Sequence, residues 1–343
     1  MGHIRAAKAL LESATENHPE LECQYIDAVD YCSWLLRASV VDSYELLIKH
    51  WPQLWEKLYQ FADTRGGKKS IDTSTILLQQ GNQKFHDYIK TFAPDRIITT
   101  HFFVPILLGK LAKEIPTDVV VTDYYANRMW LNPNVRHLFV ASEGIKKAFR
   151  KDHDSIIVSG IPISPRFFKP KNLPALRKKF ELPNDQPVIL LLSGGTGLVD
   201  ISKAAECILG TLTNITLIAV AGKNNSELFS KLEKLDPQNN TYQVFNFTDT
   251  IDELMAVADI IITKPGGLTT SEVLYLKKSL IMINPIPGQE EKNASFVTEH
   301  KYGCLVTEVT ELPGIITKIL SNPHLLNTPP DQPNPNETIL AAN

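Results

Sequence analysis

Two apolar runs end in paired glycines: LLLSGGTG at 190–197 and IITKPGGLTTSE at 261–272. In each, a strand-like run gives way to a helix-like one. A turn of that kind presents backbone N–H groups with no partner and the positive end of a helix dipole. That combination suits a phosphate. Gly266 and Gly267 can take positive φ and put no side chain over the turn. A tight turn with no ligand is an equal reading of SGGTG, which matches neither a full GxGxxG nor a GK[ST] phosphate loop. Thr269, followed three residues later by Glu272, forms a capping-box pattern. Glu272 could instead accept hydrogen bonds from ribose hydroxyls, and spacing does not separate the two. A third stretch, PIPGQEEKNA at 285–294, gathers Gln289, Glu290 and Asn293 just past another apolar run. Donors and acceptors mixed in this way suit sugar hydroxyls; a solvated loop with helix-starting acids is the plainer reading.

The elements that must position these residues are strands. DRIITTH (95–101), TDVVVTD (117–123), RHLFVAS (136–142) and SIIVSG (155–160) alternate with helical patterns. PVILLLSGG, ITLIAVAG, TYQVFNF, ADIIITK and SLIMINP continue the alternation from 187 to 285. Unbroken apolar runs are the mark of parallel strands covered on both faces, and the alternation predicts an α/β fold of doubly wound sheets. Ligands of such sheets sit at the carboxyl ends of the strands, where all three stretches lie. The proline-rich segment from Ile161 to Pro174 reads as a linker. It separates an N-terminal domain, 1–168, from a C-terminal domain, 169–325. The tail 326–343 is rich in Pro and Asn and is expected to be poorly ordered. The chain is helical in pattern from Ile4, with only Met1 and Gly2 ahead of it. A strand normally feeds such a helix, so the first strand of the N-terminal domain is read as missing.

Composition narrows the function classes. The chain has 343 residues, 43% hydrophobic and 21% charged, as in a soluble globular protein. A net charge of −3 gives no global case for nucleic acid. Four scattered cysteines, with no CxxC, speak against a zinc site and suit a reducing compartment. No run approaches the roughly 18 apolar residues of a membrane span. These features predict a cytoplasmic protein, with a peripheral membrane contact left open.

Taken together, KPGGLTTSEVL, PIPGQEEKNASF, SGGTG, GIPISPRF and VTDYYANRMW resemble the monogalactosyldiacylglycerol synthase and processive diacylglycerol glucosyltransferase family. They are similar, more distantly, to the peptidoglycan glycosyltransferase that makes lipid II. The resemblance implies a GT-B architecture, two Rossmann-like domains facing a cleft. It implies an inverting transfer of hexose from UDP-glucose or UDP-galactose to diacylglycerol or a glycosyl-diacylglycerol, with no metal at the diphosphate and no cofactor. Gly194, Gly195, Gly266 and Gly267 would line the diphosphate, with Thr269 and Thr270 as hydroxyl donors. Glu272 would hold the ribose, Gln289 and Glu290 the sugar, with Asn293 nearby. Gly2-His3 matches the end of the family's N-terminal glycine-rich loop, which makes His3 a candidate base and Asp123 the second. Trp130 is kept on the acceptor side, whereas Asn127 stands where the family has His. Asn cannot shuttle a proton at neutral pH. Another lipid or polyprenyl acceptor, and an inactive nucleotide-sugar-binding homologue, are the alternatives.

The segment 43–70 sets Trp51, Trp55, Tyr59 and Phe61 among Lys49, His50, Lys57, Arg65, Lys68 and Lys69. Aromatics beside cations suit adsorption to anionic lipid; two short helices packed on the N-terminal domain are an equal reading. The resemblance favours the membrane-facing role, at the cytosolic face. Residues 63–74, with Gly66 and Gly67, are a candidate flexible loop.

Overall fold

The computed structural model describes residues 2–32, 57, 61, 63–64, 83–195, 199–223, 225–322 and 324–342. They form two units. The first comprises 2–164, 286–292 and 333–343, and the second 165–285 and 293–332. The lipid-facing expectation for 43–70 and the loop 63–74 therefore fall almost wholly outside the described residues. Among the exceptions, Phe61 is 54% exposed. Asp63 accepts from the backbone N–H of Arg128 at 2.8 Å and from the Tyr125 hydroxyl.

In the first unit, four short strands form a parallel sheet in the order β1 (Ile97–Thr99), β2 (Thr117–Val120), β3 (Leu138–Val140) and β4 (Ile156–Val158). The chain enters this unit through the helix Gly2–Asn17. That helix lays Leu10 against Val120 and Phe139 of the sheet.

The second unit is a six-stranded parallel sheet. Its strands are β5 (Val188–Leu192), β6 (Thr216–Val220), β7 (Thr241–Phe245), β8 (Ile260–Thr263), β9 (Ser279–Ile283) and β10 (Gly303–Val306). The order is β7-β6-β5-β8-β9-β10, the 3-2-1-4-5-6 order of a dinucleotide-binding sheet. Its switch point falls between β5 and β8, the two strands that end in paired glycines. Central strands are unbroken in their apolar pattern because both faces are covered: every residue of Val188–Leu192 is buried, and on one face Ile189 and Leu191 pack with Ile208 of the helix Ser202–Thr211 and with Ile316 of the helix Leu312–Ser321. Each such residue contributes roughly 1.5–3 kcal/mol by leaving water.

Three expectations need correction. The proline-rich linker is short. The division comes after Ser164, and the chain is helical again at Leu173–Lys179, where Asn172 caps Ala175 N and Pro174 sits in the first turn. A proline there loses no hydrogen bond. The tail is not disordered. Asn334 caps a helix at Pro335–Leu340 that is part of the first unit. The amide of Asn336, wholly buried, donates to Ser13 Oγ (2.7 Å), Ile163 O (2.8 Å) and Ala9 O (3.3 Å). Arg96 holds the carbonyls of Ile339 and Leu340 while its Nε binds the buried Asp118 at 2.6 Å. Finally, Gln289 and Glu290 group with the first unit, whereas Asn293 groups with the second. Gly288, at φ 93°, makes the turn that starts their common helix, Gln289–Glu299.

Asn336→Ala should lower unfolding stability by about 1–3 kcal/mol, since it strands buried acceptors. Denaturant unfolding reads the loss.

Candidate active site

The second unit brings the two glycine turns to neighbouring strand ends. At the first, Ser193 N donates to Val220 O (3.1 Å), and its hydroxyl donates to Ala221 O. Gly194 follows at φ 86°. The helix after this turn begins at Ser202, and Asp200 accepts from Ser202 N at 2.9 Å and from the Ser202 hydroxyl at 2.5 Å. The Ser202 hydroxyl, more than any other neighbour, holds Asp200 below the usual carboxylate range. A carboxylate thus already occupies this helix terminus. Thr196 and Gly197 lie outside the described residues.

The second turn is different. Its helix runs Gly267–Tyr275 with Gly266 as the N-cap, and no side chain caps it. The first-turn amides of Gly267, Leu268 and Thr269 are therefore left for something other than a capping side chain. The capping box expected of Thr269 and Glu272 does not form, because the helix starts two residues before Thr269. Glu272 lies in the second turn and is 0% exposed. Thr270 is equally buried, and its hydroxyl has no hydrogen-bond partner among the described residues. Asn293, also fully buried, donates through Nδ2 to Pro265 O at 3.1 Å and so braces the KPGG turn. Glu290 accepts from Ile286 N (2.9 Å) and Glu291 from Gly288 N (3.0 Å), which folds the preceding loop.

Lys264 was read only as the end of a strand. Its stem crosses the first turn: a Cβ on Gly194 would lie 3.0 Å from Lys264 Cε and 3.5 Å from Cδ. Gly194 is thus required twice, for its positive φ and for the lysine that lies over it. One cation thus belongs to both turns: Lys264 directly follows β8 in sequence, and its stem lies over the turn that follows β5. Lys264→Met should weaken UDP affinity about tenfold or more, the scale of one charge-assisted hydrogen bond, in a calorimetric titration.

In the first unit, His3 sits where β1 and β2 end. Its Nδ1 lies 2.7 Å from the carbonyl of Thr100 and 2.9 Å from Thr122 Oγ1. A carbonyl only accepts, so Nδ1 carries the proton and Nε2 is a bare lone pair. Thr100 Oγ1 donates back to His3 O at 2.8 Å, which locks the backbone. Burial pushes the His3 pKa down to about 4, against the opposing pull of the Thr100 carbonyl. The imidazole is neutral at physiological pH and can accept a proton. His101 and Trp130 wall the ring, with centroids 4.6 Å and 6.1 Å away. Thr122, just past the end of β2, brings its hydroxyl to His3, and Asp123 beside it is half-buried in the same loop. Asn127 is fully buried, and its Oδ1 accepts from Met129 N at 3.0 Å, capping the short helix that carries Trp130. Thr100, Thr122 and His101 carry no spacing signal, because their partner His3 lies about a hundred residues away in sequence.

Asp152-His153-Asp154 has the Asp-x-Asp spacing that holds a metal in other glycosyltransferases. Here Asp152 pairs with Arg128 (3.2 Å) and His153 Nε2 donates to Val135 O (3.2 Å). No group of three or more His, Cys, Asp or Glu that could hold a metal occurs among the described residues.

A six-stranded sheet with a phosphate-type switch point, and a parallel sheet with a buried, neutral histidine at its carboxyl edge, are the architecture of the GT-B class. Residues 3–163 match the monogalactosyldiacylglycerol (MGDG) synthase family, and residues 188–341 match the glycosyltransferase family 28 C-terminal domain. Both matches are to glycosyltransferase families, and together they take in nearly the whole chain. It is 26% identical over 336 residues to the processive diacylglycerol beta-glucosyltransferase of Bacillus subtilis (strain 168), covering 95% of this chain and 86% of that one. Among solved structures it shares its fold with Acinetobacter baumannii MurG (18% identity, TM-score 0.54, 78% of this chain and 77% of that one). It also shares it with the UDP-GlcNAc 2-epimerase of Neisseria meningitidis bound to UDP-GlcNAc (14% identity, TM-score 0.55, 79% and 80%).

Proposed function

We propose that this glycosyltransferase moves a hexose from UDP-glucose or UDP-galactose to diacylglycerol or a glycosyl-diacylglycerol, with inversion, as a peripheral protein at the cytosolic membrane face. The observation that carries the reading is the pair of glycine turns flanking the β5/β8 switch point under one lysine. The name of the Bacillus subtilis relative supports the acceptor. Among the described residues, no helix is long and apolar enough to cross a membrane.

The acceptor hydroxyl attacks the anomeric carbon on the face opposite UDP. Its oxygen forms the new C–O bond and its proton passes to Nε2 of His3. The bond from the anomeric carbon to the diphosphate oxygen breaks, and UDP leaves with the electron pair. Helix amides of Gly267, Leu268 and Thr269, with Lys264, offset the charge that develops there, so no metal is needed at the diphosphate.

Radiolabelled UDP-glucose or UDP-galactose with diacylglycerol vesicles tests the assignment. Labelled glycolipid is expected, at a rate unchanged by a chelator. No glycolipid from either donor, with folded protein, overturns the acceptor assignment, and a polyprenyl acceptor becomes the next substrate to try. A second reading, nucleotide-sugar binding without turnover, is favoured by Asn127, whose side chain is engaged as a cap. UDP binding with neither transfer nor donor hydrolysis decides for it.

A further inference from the structure

His101 follows β1 and was not expected to act. Its Nδ1 lies 3.2 Å from the backbone N–H of Phe103. That group only donates, so Nδ1 is the acceptor and the proton of the neutral ring sits on Nε2. Burial keeps His101 neutral, with His3 pressing the same way. His3 has the opposite tautomer: its Nδ1–H is held by a carbonyl and its Nε2 is bare. The two rings meet edge to face at 4.6 Å, beside Trp130 and Phe102. One imidazole therefore offers a lone pair and its neighbour an N–H, each fixed by backbone geometry rather than by pH. A hydroxyl group needs those two partners to be held in one orientation.

Resting on the proposed transfer, we infer that His101 is the second catalytic residue of the acceptor site. Its Nε2–H donates to the acceptor hydroxyl oxygen while that hydroxyl donates to His3 Nε2. The remaining lone pair is then aimed at the anomeric carbon, and orientation of this kind lowers the barrier. His101 takes no proton during the step; the proton goes to His3 alone.

Two substitutions separate this role from a structural one. His101→Asn keeps an acceptor for Phe103 N and loses the distal donor. His101→Gln loses that acceptor and keeps an N–H at about the reach of Nε2. The expected result is that His101→Asn lowers kcat/KM for the lipid acceptor about tenfold, the scale of one hydrogen bond. His101→Gln should stay within a few-fold of the native value, on the same scale, and KM for the sugar nucleotide should hold in both. The reverse ranking overturns the inference. A second measurement needs no turnover: nitrogen-15 spectra of the native protein's histidines during titration with a short-chain diacylglycerol. Shifts at Nε2 of both His3 and His101 are expected. A shift at His3 alone overturns the role of His101 and leaves the proposed function standing. No shift at either overturns both.

Discussion

His3→Gln is expected to lower kcat for hexose transfer by about 10²–10⁴-fold, the range for loss of a positioned general base, with UDP affinity unchanged. Gln fills much the same space and reaches the position of Nε2, giving up the Nδ1 bond to Thr100 O, but it cannot take a proton. The native pH profile should carry the same signature. Burial pushes His3 down to about 4, so the base limb should rise through about pH 4 and be flat at neutrality. A limb centred on the ordinary value, 6.5, or native kcat in His3→Gln, would place the base elsewhere. The same shift acts on stability. Between 6.5 and about 4 the unfolded chain binds a proton at His3 that the folded chain does not. Folding therefore loses stability as pH falls across that window, and His3→Gln should remove that part of the loss.

Glu272→Ala should weaken UDP binding about ten- to a hundredfold, the range for hydrogen bonds to a charged group, measured by calorimetry. The argument rests on where the helix starts. With Gly266 as N-cap, Glu272 sits in the second turn, past the third helical position that a capping box uses, so the effect is not the loss of that box. Glu272→Gln, which keeps one acceptor, should fall between the two. Unchanged affinity in Glu272→Ala would make the buried carboxylate a packing element of the second unit.

The strands were legible because parallel strands covered on both faces leave unbroken apolar runs, and β1 to β9 all lie within runs read as strands. β10 was missed: Gly303–Val306 is a short edge strand, with Leu305 38% exposed, and it lacks the run. The tail was misread by composition. Asn334 and Pro335 look like disorder in bulk, yet they are a cap and a first-turn proline in sequence order. Both glycine turns were legible as turns, but their relative openness was not. That depended on Asp200 filling one helix end and on Gly266 leaving the other bare. Lys264, Thr122 and His101 escaped notice for one reason: each is defined by a partner distant in sequence, and periodicity is blind to such pairs.

The return of the chain to its first unit has a consequence for biosynthesis. Asn336 bonds to Ala9 across 327 positions, and the whole second unit is translated between them. The first unit therefore starts before the second and completes its packing last. Until the helix Pro335–Leu340 has emerged, the nascent first unit lacks the groups that satisfy Ser13 and Arg96. Contacts this remote are slow to close, and exposed intermediates of this kind are where chaperones act. The second unit, contributed by an uninterrupted middle stretch apart from 286–292, is free to fold while the first is still waiting.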